Sequence, residues 1–172
     1  MSDWSLRLAR PEDARHFPAI ERSAAQAFAD IEGLEPLVEG QTIPEERHRL
    51  LIAKGHCLTA LVADTIAGFL SAERFGRALH IHEMSVDRRH QRGGIGAGLA
   101  RVCGIDAANV GCECLTLTTF LDVEWNAPFY ARLGFERIED LEAWPRLGEA
   151  LREERESVGA TQERIAMVRF LP

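Results

Sequence analysis

No stretch of this 172-residue chain approaches the roughly 20 consecutive apolar residues of a membrane-crossing helix, so no membrane partner is expected. The opening Met1-Ser2-Asp3-Trp4 has neither a basic start nor an apolar core, so no secretory leader is expected and the cytoplasm is the expected compartment. Cysteine is sparse, at Cys57, Cys103, Cys112 and Cys114. Cys112 and Cys114 would face the same side of a strand, but two thiols do not complete a zinc site. His80 and His82 share that spacing, and nothing ties the two pairs together. No metal is expected, and the thiols should be reduced and partly buried. Basic residues are the minority, 20 Lys and Arg against 27 Asp and Glu, which argues against nucleic acid and weakly for a cationic substrate. Repeats, low-complexity tracts and linkers are also missing, so residues 1–172 read as a single domain large enough to bury a core.

What is present is an alternation of strand-like and helix-like segments. Trp4 to Ala9 alternates as a strand. Pro11-Glu12-Asp13 suits a helix first turn, and Pro18 interrupts or restarts that helix. Phe17, Ile20, Ala24 and Phe28 then recur at helical spacing. A loop through Gly33 and Gly40 precedes a second helix from Pro44-Glu45-Glu46 to near Gly55. His56 to Ala63 and Ile66 to Phe75 read as strands joined by Asp64-Thr65, and Leu79 to Asp87 as the third member of an antiparallel meander. A long helix from Ile95 buries Ile95, Leu99, Val102 and Cys103 and stops at Gly111. Cys114 to Phe120 is a strand, Asn126 to Leu133 a short helix closed by Gly134, and Ile165 to Leu171 a last strand. Asp140 to Ser157 reads as a helical insertion whose Trp144, Leu147 and Leu151 form an amphipathic stripe. It is a packing helix or a lid over the substrate. This order describes an α/β (α+β) fold around one sheet.

The segment richest in chemistry is Gln91-Arg92-Gly93-Gly94-Ile95-Gly96, between the third meander strand and the long helix. A glycine-rich turn there leaves main-chain N–H groups free at a helix N-terminus, where the dipole favours an anion, and glycine lets a phosphate approach closely. No Gly-Lys-Ser/Thr follows, so this is not a P-loop, and no third glycine stands at Leu99 to complete a dinucleotide fingerprint. Arg88, Arg89 and Arg92 crowd the turn in an otherwise acidic chain, which suits a phosphorylated ligand. The plain alternative is a tight turn beside a solvated basic face. Further on, Asn126 and Tyr130 are four apart and share one helix face, as ligand contacts or as a capping Asn and a core-edge Tyr.

Together these segments resemble the GNAT superfamily of acyl-CoA-dependent N-acetyltransferases. Gln91, Gly94 and Gly96 match its Gln/Arg-x-x-Gly-x-Gly/Ala pattern after a strand ending in Val86. Asn126, Tyr130, Gly134 and Phe135 match its later Asn…Tyr…Gly-Phe segment. The resemblance covers nearly the whole chain, with Asp140 to Ser157 least typical. It implies a GNAT-like fold with a central mixed, mostly antiparallel, splayed sheet flanked by helices. It implies acetyl-CoA as cosubstrate, its pyrophosphate held by the amides from Gln91 through Arg92, Gly93, Gly94 and Ile95 to Gly96. The strand bearing Met84, Ser85 and Val86 would pair with the pantetheine arm, a main-chain N–H near Met84 or Ser85 would polarise the acetyl carbonyl, and Asn126 would contact the pantetheine. Tyr130 would protonate the departing thiolate.

Glu83 is the candidate base, with His80 and His82 on the opposite parity beside Met84 and Val86, unless a bulge shifts the register. The acceptor is expected to be a small-molecule amine or a protein amino group, bound between Phe28 and Pro44 and after Phe120. Phe28, Asp30, Glu39, Asp122, Glu124 and Trp125 are candidates by position. A homodimer is compatible with the family. The competing readings are a noncatalytic acyl-CoA-binding sensor and a nucleotide-binding domain unrelated to acyl transfer.

Overall fold

The computed structural model describes residues 3–158 and 161–172. β1 (Trp4–Leu8) begins the sheet, and three helices follow before the chain returns to it: α1 (Phe17–Ala25), α2 (Glu35–Val38) and α3 (Glu45–Ala53). β2 (Leu58–Val62), β3 (Thr65–Phe75) and β4 (Ala78–Val86) then run back and forth beside β1, every neighbour antiparallel. α4 (Ile95–Asn109) crosses over to β5 (Cys114–Phe120), which lies parallel to β4, as a connection of that length permits. α5 (Ala127–Arg132), β6 (Glu136–Arg137), α6 (Pro145–Val158) and β7 (Arg164–Phe170) complete the chain, with β7 inserted between β5 and β6. The result is a seven-stranded, mostly antiparallel open sheet flanked by helices, the architecture expected from the motifs.

Local chemistry explains the punctuation. Pro11 opens a 3-10 turn to His16, and Pro18, in the first turn of α1, restarts the chain as an α-helix because that position has no N–H to lose. The β2–β3 hairpin turns on Ala63 and Asp64, both at positive φ, so Thr65 belongs to the strand rather than to the turn. Within the segment read as a loop, Glu35–Val38 forms one helical turn, and Leu34 beside it is buried against Phe120 and Val123. The two-residue β6 has no alternating pattern of its own and exists because Glu136 and Arg137 pair with Val168 and Met167.

Two apolar layers cover opposite faces of the sheet. α4 packs Ile95, Leu99 and Cys103 against Leu79, Ile81, Leu115 and Leu117. On the other face Phe17 and Ile20 meet Leu51 and Phe69, and α6 lays Leu147 and Leu151 on Ala166 and Val168. The Trp144 stripe therefore behaves as a packing helix. All four cysteines are buried and free, but Cys112 belongs to the α4 layer and Cys114 to the α6 layer. The expected shared face fails because Cys112 lies outside the strand, where alternation does not hold.

β1 also buttresses the glycine-rich turn. The Trp4 indole N–H donates to Gly93 O at 2.9 Å, and its ring lies on Gly98 so closely that a Cβ there would stand 2.6 Å from Trp4 Cη2. Gly98→Ala should therefore destabilise the protein by about 1–3 kcal/mol and loosen the turn. Urea unfolding read by Trp fluorescence checks this, and an unchanged midpoint would refute the contact.

Candidate functional site

The turn after β4 is held open by its own side chains. Asp87 donates its N–H to Ala67 O at 2.8 Å, ending the β3–β4 ladder. Its carboxylate accepts the Arg89 N–H and the Arg89 guanidinium at 3.0 Å, so Arg89 is already neutralised. Gln91 donates its side-chain amide to Val86 O at 3.0 Å, which ties the turn to the strand end. Arg92 and Gly94 take φ of 64° and 86°, and α4 starts at Ile95. After His90 N–H, which donates to Asp87 O, the next main-chain N–H with a main-chain acceptor is that of Gly98. A shallow depression beside the turn is lined by Asp3, Trp4, Val62, Arg89, His90, Gln91, Gly93 and Ile95. Unpaired amides at the start of a 15-residue helix form a seat for an anion such as a diphosphate.

A slot opens beside this seat. β4 and β5 pair only at Ala78–Cys114, Leu79–Leu115 and His80–Thr116, and beyond that point the two strands have no register. Because Asp87 turns its N–H to β3, alternation turns the peptide groups of Val86 and Met84 toward the open edge. Ser85 is aligned with Phe69, so its peptide faces β3. Met84, rather than Ser85, is the residue whose N–H can meet a ligand carbonyl. Val86 O is already engaged by Gln91.

A bulge decides what faces the slot. Ser71 aligns with Glu83 but Ala72 aligns with Ile81, so His82 is the extra residue. Leu79, Ile81, Met84 and Val86 all pack on the α4 layer. Glu83 is thereby carried to the other face with His80 and His82, not opposite to them as strict alternation predicts. Glu83 accepts the Ser85 hydroxyl at 2.7 Å, and burial raises its carboxyl above the usual range.

Glu21, from α1, joins it there. Its carboxyl accepts Ile43 N–H at 3.0 Å and stands 3.9 Å from His48 Nε2. Burial and the Glu83 charge push Glu21 up to about 8. His48 is fully buried between the Phe17 and Phe69 rings, bonds Ser71 through Nδ1, and is driven down to about 4 by burial.

Across the slot, Tyr130 packs edge-on against Phe129 and Phe135. Burial raises its phenol, and the Glu83 charge adds to the shift. Asn126 occupies the position before α5 without capping it. Its Oδ1 accepts the Thr119 hydroxyl at 2.6 Å, leaving the amide nitrogen free to donate. Phe28, Phe120 and Trp125 form an aromatic wall, with ring centroids 5.6 to 6.0 Å apart. Arg164 lies 4.6 Å over Phe120 and donates to Glu154 at 2.9 Å.

The fold thus gathers Glu83, Met84, Asn126 and Tyr130 at the slot and residues 91–96 at the seat. Asp30, Glu39, Asp122 and Glu124 remain exposed. Glu21 and Glu154 join Glu83 on this face of the sheet, and those two carry no sequence signal. Glu21 and Glu154 look like ordinary polar positions of amphipathic helices, and only the packing of α1 and α6 turns them inward.

The Acetyltransferase (GNAT) family model matches residues 20–135. The fold is that of Ard1 from Thermoplasma volcanium, with a TM-score of 0.73 at 17% identity over 99% of both chains. PaiA N-acetyltransferase from Thermoplasma acidophilum, solved in complex with coenzyme A, matches at 0.70 and 15% identity over 97% of this chain and 98% of that one. The ribosomal-protein-S18-alanine N-acetyltransferase of Escherichia coli matches at 0.65 and 14% identity, covering 98% and 94%. With the family pattern spanning both the glycine-rich turn and the Asn126–Phe135 segment, this chain belongs to the GNAT family of acetyltransferases.

Proposed function

We propose that residues 1–172 form one acetyltransferase domain that moves the acetyl group of acetyl-CoA to a primary amine of a small molecule or protein. The observation that carries this reading is the divergence of β4 from β5 after His80 and Thr116, with Glu83 near enough to Tyr130 for its charge to raise the phenol. A thioester lying in that opening would have its diphosphate at the 91–96 amides and its amide-bearing arm along Met84 and Val86, within reach of Asn126. The coenzyme A complex of the PaiA protein, which shares the fold, supports this choice of donor.

The chemical steps fall to four side chains and one peptide. An alkylammonium with pKa ~10.4 must lose a proton, an obstacle of about 4.5 kcal/mol at neutral pH. Glu83, its basicity raised by burial, accepts that proton, with Glu21 as its neighbour in the same hydrophobic setting. Met84 N–H donates to the oxygen that gains charge as the amine attacks. Tyr130 keeps its O–H throughout the working pH range and donates to sulfur as the C–S bond breaks, while the proton released by the amine restores the balance. Asn126 holds the donor arm straight.

The pair of carboxyls sets the pH dependence. A base with a raised pKa is protonated and idle below that value and works above it. We expect kcat to rise with pH as these carboxyls lose their protons, Glu21 at about 8 and Glu83 also above the usual carboxylate range. Glu83→Gln should lose about 10²-fold in kcat and abolish that rise. Thiol release measured from about pH 6 to about pH 9.5 reads both effects, and an unaltered profile in the variant would remove Glu83 from the mechanism.

A further inference from the structure

Along the same sheet face, toward the closed end of the slot, a second cluster of charges is used by none of these steps. Glu73, only 8% exposed, accepts from Arg47 at 3.1 Å, from His82 at 2.9 Å and from Lys54. Burial alone would raise its carboxyl, but the Lys54 and His82 hydrogen bonds outweigh it and hold the group at about 2. One carboxylate therefore serves three donors and is fully engaged.

A further cation stands beside it. The Arg146 guanidinium, at the start of α6, lies 4.0 Å over the Phe75 ring and reaches Thr116 Oγ1 only at 3.5 Å. Among the described residues no carboxylate comes within ion-pair distance of it. His80 and His82 nearby are both pushed toward the neutral form, chiefly by burial and also by the Arg146 charge. Arg47, Lys54 and Arg146 thus face a single carboxylate in a chain that is acidic overall. Burial lowers the Arg146 guanidinium pKa and the Glu73 charge offsets only part of this, so a half-buried guanidinium without an ion-pair partner is costly unless a ligand completes it.

The cluster is continuous with the amine site. Thr116, which Arg146 touches, is paired with His80 where β4 and β5 part, and Glu83 lies three residues further along β4. Because His82 is the bulged residue, His80 to Glu83 advances only two steps along β3, from Glu73 to Ser71, so at about 3.3 Å per strand residue the two ends are ~7 Å apart. α6 spans the same interval, with Arg146 by Thr116 and Glu154 by Thr118. We propose that the acceptor is an amine carrying a carboxylate at its far end, and that Arg146, with Arg47, holds this carboxylate while the amine meets Glu83. This assignment rests on the acetyl-transfer reading and narrows its substrate class to amino acids with widely separated ends.

The test uses matched acceptors, 6-aminohexanoate and hexylamine, with the full-length protein and its Arg146→Gln and Arg146→Lys variants. Thiol release from acetyl-CoA should favour 6-aminohexanoate by at least tenfold in kcat/KM, through KM. Arg146→Gln should erase that preference without affecting hexylamine, and Arg146→Lys should restore part of it. Calorimetry with CoA-loaded protein reads the carboxylate preference with no turnover. Turnover of both amines without preference would overturn the carboxylate seat and leave acetyl transfer standing. Preferential binding without turnover would uphold the seat and overturn transfer, and failure of both readings would overturn both.

Discussion

Tyr130→Phe is expected to lower kcat by 10²- to 10⁴-fold while leaving the Kd for acetyl-CoA within about twofold of its original value. Tyr130 is the only tyrosine of the chain, so no neighbouring phenol can substitute for it. Its ring contacts, edge-on to Phe129 and Phe135, are retained by phenylalanine, so the fold and the donor site should survive. What disappears is the O–H, kept protonated by burial and by the charge of Glu83. A thiolate leaving without a hydrogen-bond donor develops its charge in a low-dielectric site, where that charge is expensive. Stopped-flow thiol release paired with calorimetry measures the two quantities separately, and equal turnover by both proteins would exclude Tyr130 from the chemistry.

Gly94→Asp should weaken coenzyme A binding by 100-fold or more. Two effects act together at this position. The residue preceding α4 sits at φ of 86°, where a side chain with a Cβ costs about 1–2 kcal/mol. Its carboxylate would also occupy the seat formed by the unpaired amides of the turn and repel a diphosphate. Gly94→Asn separates the effects, since asparagine tolerates the left-handed conformation and carries no charge. Asparagine should lose less than tenfold, and the remaining loss in aspartate measures charge alone. Gly96→Asp should also abolish binding, although its Cβ would make only ordinary contact with Phe129 at 3.5 Å. A folded Gly94→Asp protein with unchanged affinity would move the diphosphate elsewhere.

Much of the architecture could be read from periodicity. The meander from Leu58 to Val86, the strand Cys114–Phe120 and the helix from Ile95 all appear within a residue or two of their expected bounds. They are legible because each buries one face on a common core, and burial imposes a period of two or 3.6 on the residues themselves. The turn at 91–96 is legible for a different reason. Positive φ at Gly94 demands glycine locally, whatever the rest of the chain does.

The polar face of β4 was far less legible. Strict alternation on β4 puts Glu83 opposite His80, and a single extra residue at His82 reverses this. A bulge arises from the mismatch between two strands, so neither strand announces it alone. Glu21, Glu154 and Arg146 are single polar positions on helices, indistinguishable by pattern from solvated neighbours such as Arg22, Glu153 or Glu149. Their importance comes from which helix lies over which strand.

Local covalent and conformational demands thus wrote the elements, the glycine turn and the family motifs into the residue order, because each depends on contacts a few positions apart. The bulge, the meeting of Glu21 with Glu83 and the isolation of Arg146 required the assembled sheet, because burial and charge are set by neighbours distant in the chain.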